Sequence, residues 1–569
     1  MTELKNKRSY IEISADVNQF VQAKLNGYNA KGIEAKTIHD PIWGSTEYSE
    51  WEMQLIDSPL IQRLRGISQV GLAVLTYPAA RHSRFEHTLG VAAATKRLVD
   101  RINVNCSNFQ INQNVKNKLV LAAIMHDVGH CFYSHLSESI YGNLKDFAEL
   151  RKDIKDILGV KPKPHEILSL IIVNCDSFKS FFSNELNYPN KANLDKLLED
   201  VGKIIIGVNI TDGDNIESYQ TSIINGSFDV DKLDYIKRDS YTAGLALDFD
   251  IERLFTKIKV HPISIEGKIE HRLVIQANGV TAIEELTFCK IMLFSYIYYH
   301  QKVLITEDII KDYAQALLKL DLINTYADFL SLDEASLLSL AKNQGDKKPF
   351  PSYGNISLAQ LADNIRNRTL PKRCLEVSQS IVQNIVINDH GKETELKNLL
   401  NKIQTDKSYN LEMLDADINN MISYYTRSNE RYIAGFMSRF EGNTYNDILK
   451  IRKEIYDELI GVYEKHRQKV DFDVFDIYFV FPSVVSYGTP GEKNVLGRDG
   501  KLMSINDFVK LEQWASSFNA YKWRGYVYVT KKINKEYALE ACRVKTFCAC
   551  RYTRKLERRA FLIHLSGKV

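Results

Sequence analysis

The sequence predicts a mainly α-helical protein with a smaller α+β region towards its C-terminal end, and three features carry that expectation. Apolar residues recur at helical spacing from Glu52 to Ile67, after His87, from Glu284 to Leu304 and through most of 331–470. β-Forming residues gather late, in Phe472-Asp-Val-Phe-Asp-Ile-Tyr-Phe-Val-Phe481 and Gly525-Tyr-Val-Tyr-Val529. Seven consecutive apolar residues, Leu119–Met125, then run directly into His126-Asp127-Val-Gly-His130, so a segment that should be buried ends in potential ligands. Burying an imidazole beside a carboxylate is costly unless they are paired or bound to a metal. If that run continues as helix, His126 and His130 stand at i and i+4 on one face.

In chain order, residues 1–40 are polar with short apolar groups and form an N-terminal arm. From 41 to 330 the texture is that of a helical catalytic domain, with Asp57-Ser-Pro-Leu60 capping a helix and His87 and His165 each opening one. Residues 258–278 alternate around Glu266-Gly267, a hairpin signal. A helical region follows over 331–470, and an α+β region over 471–569. At 569 residues the chain exceeds one ordinary core, so two or three packed units are expected.

Composition narrows the setting. With 44% hydrophobic and 25% charged residues the chain is globular, and a net charge of +3 lacks the strong field of a dedicated nucleic-acid binder, so an anionic substrate is met locally. Eight scattered cysteines in so long a chain fit a reducing compartment, and Cys548-Ala-Cys550 lacks the CxxC spacing of structural zinc. Neither an apolar signal region nor eighteen successive apolar residues occurs, so a soluble, cytoplasmic protein without a membrane partner is expected.

Four residues stand out as ligands: His87, His126, Asp127 and Asp231. Two imidazoles and two carboxylates make a mixed site suited to Fe, Mn, Zn, Co, Ni or Mg, with the identity open. Of thirteen histidines, His126, His130 and His135 fall within ten residues, a density that isolated structural histidines do not explain.

The ordered pattern His87, His126-Asp127, Asp231 resembles the HD-domain phosphohydrolases. The surrounding segments Asp57-Ser-Pro-Leu-Ile-Gln-Arg-Leu-Arg65, Arg84-Phe-Glu-His-Thr-Leu-Gly90, Ser134-His135 and Asp229-Val-Asp-Lys-Leu-Asp-Tyr235 with Arg238-Asp239 narrow the resemblance. They are similar to the SAMHD1-like deoxynucleoside triphosphate triphosphohydrolases over roughly 36–305, without their SAM domain. The resemblance implies that His87, His126, Asp127 and Asp231 hold a divalent metal, and that His130, His135, Glu138 and His165 line the reacting α-phosphate. Gln69, Val70, Arg84, Lys232, Tyr235, Arg238, Asp239 and Tyr299 would bind the dNTP, whose cleavage releases deoxynucleoside and triphosphate.

The resemblance further implies a homo-oligomer, tetrameric or otherwise, activated by a nucleotide at Lys36, Asp57, Gln62 and Arg65 and at Tyr77, Arg253, Gln301 and Lys302. The chain departs from the family at Glu138, where Asp is usual, and at Ile291 and Ser295, where vertebrate members carry Arg and His. Two other readings stand beside this one. Another HD reaction would act on cyclic dinucleotides, other nucleotides or single-stranded nucleic acid. A nucleotide-sensing or nucleic-acid-binding oligomer would use the basic, aromatic-bearing tail Arg543–Arg559.

Overall fold

Helix signals in the sequence resolve into short, well-capped helices around one histidine-rich centre. The computed structural model describes residues 1–344, 347–377, 445–482, 493–510, 514 and 524–545. Two compact units are present. The first comprises Met1–Val303, Ile310–Gly345 and Tyr487–Glu512, and the second Leu304–Ile309, Asp346–Ser486 and Gln513–Val569.

The first unit is built around the helices Arg84–Asn105, Gln113–Met125, Pro164–Asn174 and Val230–Ala243. Arg84–Asn105 starts at a capping box in which Phe85 N donates to Ser83 Oγ and Ser83 N donates to Glu86 Oε2, and it buries His87 and most of the residues after it. Asn112 caps Gln113–Met125 by accepting from Val115 N. Residues 1–40, expected as an arm, instead contribute the helix Arg8–Leu25, whose Tyr10, Ile13, Val17, Phe20 and Val21 are buried. A hairpin Lys36–Asp40 with Gly44–Tyr48 follows, in the register Lys36↔Tyr48 to Asp40↔Gly44.

The hairpin expected over 258–278 forms as Ile258–Ile265 with Lys268–Gln276, Glu266 and Gly267 turning at φ 50° and 80°. It belongs to a six-stranded sheet that takes in Lys493–Leu496 and Leu502–Ser504, strands from the region after 471. The helix expected from Glu284 to Leu304 is interrupted. Val280–Leu293 passes into a π-turn at Phe294–Tyr298, and a new helix, Gln301–Lys319, begins after His300.

The second unit has a three-stranded antiparallel sheet in the order Lys372–Val377, Gly525–Val529, Ile477–Val480. The helices Tyr445–Lys465 and Lys535–Lys545 cover it, with Leu375, Ile455, Leu459, Ile477, Val527 and Ala541 in its core. The late β-segments therefore contain strands as expected, and Gly525–Val529 also pairs with Lys372–Val377, across the boundary drawn at 470. Among the described residues no helix is long and apolar enough to cross a membrane. Apart from the helical backbone of 543–545, the basic tail Arg543–Arg559, including Cys548 and Cys550, lies outside the described residues.

Candidate active site

The apolar run stops being helical one residue before its first ligand. Gln113–Met125 ends at His126, and 126–129 form turns, so His126 and His130 do not share a helical face as the i, i+4 spacing suggested. The cause is local. Gly129 lies so close to the Pro164–Asn174 helix that an added Cβ would strike His165 O, Ser169 N and Leu168 Cβ. Ser169 satisfies the freed backbone: its Oγ accepts from Gly129 N at 2.8 Å and donates to His126 O at 2.7 Å. On the other side Arg63 Nη1 donates to His130 O at 2.9 Å and its Nη2 to Val128 O.

This turn delivers His126 and Asp127 to His87 and Asp231. His87 Nε2 lies 3.0 Å from Asp231 Oδ1 and 3.6 Å from Asp127 Oδ2, and His126 Nε2 lies 3.3 Å from Asp127 Oδ1 and 4.0 Å from Asp231 Oδ1. Each imidazole spends its other nitrogen behind it. His87 Nδ1 meets Asp234 Oδ2 at 2.7 Å and His126 Nδ1 meets Ala123 O at 2.7 Å, which directs both Nε2 lone pairs inward. Both Nε2 atoms are buried and without a hydrogen-bond partner. Inward lone pairs facing carboxylates repel unless a cation lies between them.

The electrostatics make the same demand. Burial alone would lower the pKa of His87, but the Asp231 carboxylate beside Nε2, the Asp234 carboxylate on Nδ1 and the nearby Asp127 charge raise it to about 10. Against burial, His126, Arg84 and His130 hold Asp127 well below the usual carboxylate range. A divalent ion supplies this positive charge without a proton; the donor atoms of His87, His126 and Asp231 lie close enough together to hold one, with Asp127 beside both imidazoles.

Asp234, which the sequence places on one helical face with Asp231 and Arg238 but to which it assigns no role, is the support behind His87. Besides His87 it accepts from Trp43 Nε1 at 2.6 Å and from Arg238 Nε and Nη2 at 2.9 and 2.8 Å. Arg238, assigned to the substrate by resemblance, is 2% exposed and also donates to Asp40 Oδ2 at 2.8 Å. Its guanidinium bonds these two carboxylates, so it backs Asp234, which in turn meets His87. Gly90 permits the approach, since a Cβ there would run into Asp234 and Arg238. The i, i+4 spacing of Asp234 and Arg238 was the available signal; Trp43 and Gly90 gave none.

A second cluster shares Asp127. His130 Nε2 and His165 Nε2 lie 3.3 and 3.8 Å from Asp127 Oδ1, and their rings stack at 3.8 Å and 17°. Glu138 Oε1 gathers His135 Nδ1 at 2.8 Å, His165 Nδ1 at 2.9 Å and His130 Nδ1 at 3.4 Å. Burial, with Arg84 and His165 adding repulsion, pushes His130 well below the usual imidazole range; at His165 Glu138 outweighs burial and raises it. Burial thus disfavours a proton on His130, while Glu138 favours one on His165. His135 follows Tyr133 and Ser134, both at φ 51°, a left-handed pair that costs about 1–3 kcal/mol per residue and survives only where its surroundings enforce it.

Around these clusters Arg84 Nη1 donates to Asp127 Oδ2 at 2.7 Å and Nε to Ser134 Oγ at 2.9 Å, so it bridges them. Lys232 Nζ meets Asp229 Oδ2 at 2.5 Å and Gly226 O at 2.8 Å. Asp239 is held by His82 Nε2 at 2.7 Å and by Tyr298 OH, two residues that sequence reasoning missed. Gln69 N donates to His82 O at 3.1 Å, and Gln69 and Val70 are buried. Tyr235 is half-buried on the Val230–Ala243 helix, and Tyr299 packs edge-on to Phe294 at 5.4 Å.

Of the residues that the resemblance assigns to activation, four form two pairs. Lys36 meets Asp57 at 2.9 Å and Arg65 Nε meets Gln62 Oε1 at 2.7 Å, while Tyr77 OH donates to Tyr296 O at 2.9 Å. Arg253 is capped by Asp250 through its backbone, and Gln301 and Lys302 open the helix after the π-turn.

Fold and site define a metal-dependent HD module. Residues 84–236 match the HD domain and 249–418 the HD associated region. An uncharacterized protein of Methanocaldococcus jannaschii is 29% identical over 48% of this chain and 48% of its own. The deoxynucleoside triphosphate triphosphohydrolase SAMHD1 homolog of Dictyostelium discoideum is 27% identical over 59% of this chain and 60% of its own. SAMHD1 of Bos taurus is 28% identical over 40% and 38%. Alignment with the first two of these thus spans about half to three fifths of their length. A phosphohydrolase structure from Bacteroides thetaiotaomicron superposes at TM-score 0.53 with 16% identity, covering 87% of this chain and 100% of that one. A hypothetical protein from Aquifex aeolicus superposes at 0.52 with 20% identity over 89% and 99%. Both show the fold. The chain belongs to the HD-domain phosphohydrolase family and has SAMHD1-named relatives within it.

Proposed function

We propose that the protein hydrolyses deoxynucleoside triphosphates to deoxynucleoside and inorganic triphosphate. The observation that carries this reading is the single carboxylate, Asp127, standing between a metal-ligand set and the three histidines gathered on Glu138. Such a pairing suits a phosphate ester whose phosphorus lies between the two clusters. When bound at His87, His126, Asp127 and Asp231, a divalent ion supplies Lewis-acid polarisation of the phosphate and activation of water.

The chain's own residues do the rest. His130 and Arg84 face the phosphate oxygens, and Glu138 orients His165 and His135. Hydrolysis breaks the bond between the α-phosphorus and the 5′ oxygen; the water oxygen stays on the triphosphate, and a proton passes from the histidine side to the departing 5′ oxygen. Lys232 and Tyr235 would meet the outer phosphates, Asp239, Gln69 and Val70 the sugar, and Tyr299 its far side. The relatives named as dNTP triphosphohydrolases support this substrate class. Lys36, Asp57, Gln62 and Arg65, with Tyr77, Arg253, Gln301 and Lys302, would take an activating nucleotide in a homo-oligomer.

The test incubates the purified protein with each dNTP, singly and mixed, under Fe, Mn, Zn, Co, Ni or Mg, and assays deoxynucleoside and triphosphate. Their appearance in a 1:1 ratio is expected. No product in any mixture would remove the reading.

A further inference from the structure

Glu334 lies nearly a hundred residues beyond the segment 84–236 that carries the HD match, yet its carboxylate closes on two active-site loops. Oε1 accepts from Ser68 N at 2.9 Å, Oε2 accepts from Ser68 Oγ at 2.7 Å, and the Tyr133 backbone N–H is a third donor. Ser68 immediately precedes Gln69 and Val70. Tyr133 is the first of the two left-handed residues that lead into His135.

The two loops are tied again one bond further in. Ser134 Oγ donates to Ser68 O at 2.7 Å and accepts from Arg84 Nε at 2.9 Å, while Arg84 Nη1 reaches Asp127. One continuous set of hydrogen bonds therefore runs from Glu334 through Ser68, Ser134 and Arg84 to Asp127. The same short segment sends a second strut to the same turn. Leu330 O accepts from Arg63 Nη1 at 3.3 Å, and that nitrogen also donates to His130 O. Beside it a Cβ on Gly66 would approach Asp333 Cβ to 2.9 Å, so segment and loop touch at that point.

We infer that Glu334 is a positioning residue for this active site: it holds Ser68 and Tyr133 together, and so enforces the strained turn that presents His135. Two successive left-handed residues without glycine would relax to ordinary backbone once their hydrogen-bond partners were removed. The carboxylate is placed where it prevents that relaxation. Its function is indirect, since it touches none of the histidines, and it rests on the proposed reading of His130 and His135 as the residues beside the phosphate.

The experiment compares the full chain with Glu334→Ala and Glu334→Gln by hydrogen–deuterium exchange and bound-metal content, and by kcat on whichever phosphate ester the parent hydrolyses. For Glu334→Ala, exchange at least tenfold faster is expected, confined to 66–70 and 131–137, with metal content unchanged and kcat lowered about tenfold. Glu334→Gln keeps an acceptor for Ser68 N and should fall between the two in exchange and rate. Unchanged exchange in both loops would overturn the assignment. So would loosening spread evenly over the whole chain, or a Gln variant as loose as the Ala variant. The exchange readout needs no substrate, so a failure of the dNTP reading leaves this test intact.

Discussion

The two histidine clusters that share Asp127 are held in opposite ways. On the metal side each imidazole has its own backing group, Asp234 for His87 and the Ala123 carbonyl for His126, and Asp234 is itself held by Trp43 and Arg238. On the phosphate side three imidazoles converge on the single Oε1 of Glu138, and the His135 side chain is 62% exposed on a strained turn. The first arrangement is complete before any substrate arrives. The second shares one carboxylate oxygen among three rings and leaves His130 nitrogens without a hydrogen-bond partner, as expected where the last partner is a ligand.

The contrast can be broken from both sides. Asp127→Ala removes the group common to both clusters, so metal content should fall and turnover should drop at least about a thousandfold, measured together by elemental analysis and product assay. Retained activity would mean that the shared carboxylate is dispensable. Glu138→Gln should lower kcat by about 10²–10⁴ with metal content unchanged, because it disturbs the proton-handling side alone. Loss of metal in that variant would erase the division between the clusters. Asp234→Asn should weaken metal affinity about 10–100-fold, with activity recovering as metal is added, whereas added metal should not rescue Glu138→Gln. The smallest effect is expected for Trp43→Phe, which removes one neutral donor from Asp234; metal titration should show a loss of only a few-fold, on the order of 1 kcal/mol.

Ligands were more legible than their supports. His87, His126, Asp127 and Asp231 could be read because chemistry restricts which residues bind a metal, and the structure brings all four together. The helical reading of 126–130 failed because apolar spacing cannot report that a neighbouring helix, through Ser169 and the Gly129 contact, supplies a better set of hydrogen bonds than another helical turn. Arg238 was legible as a residue near the site but not as to which side of it. Only its pairing with both Asp234 and Asp40 decides that, and Asp40 is 198 residues away. Trp43, His82 and Glu334 were invisible for the same reason, since each acts across a long sequence separation through a side-chain type that is common in structural roles. The 258–278 hairpin and the late strands carried local turn and alternation signals and could be read directly, whereas the pairing of Gly525–Val529 with Lys372–Val377 could not.

The small hairpin Lys36–Tyr48 has a mechanical consequence. Its turn supplies both Asp40, which holds Arg238, and Trp43, which holds Asp234, and its last residue is pinned to the catalytic helix by Tyr48 OH donating to Leu89 O at 2.8 Å. Lys36 sits at the other end of the first strand, four residues or about 13 Å from Asp40. The two strands pair along their full length, so the ribbon is one stiff piece. Pinned at its open end by Tyr48 and bonded at its tip through Asp40 and Trp43, it braces the wall behind His87 at two points.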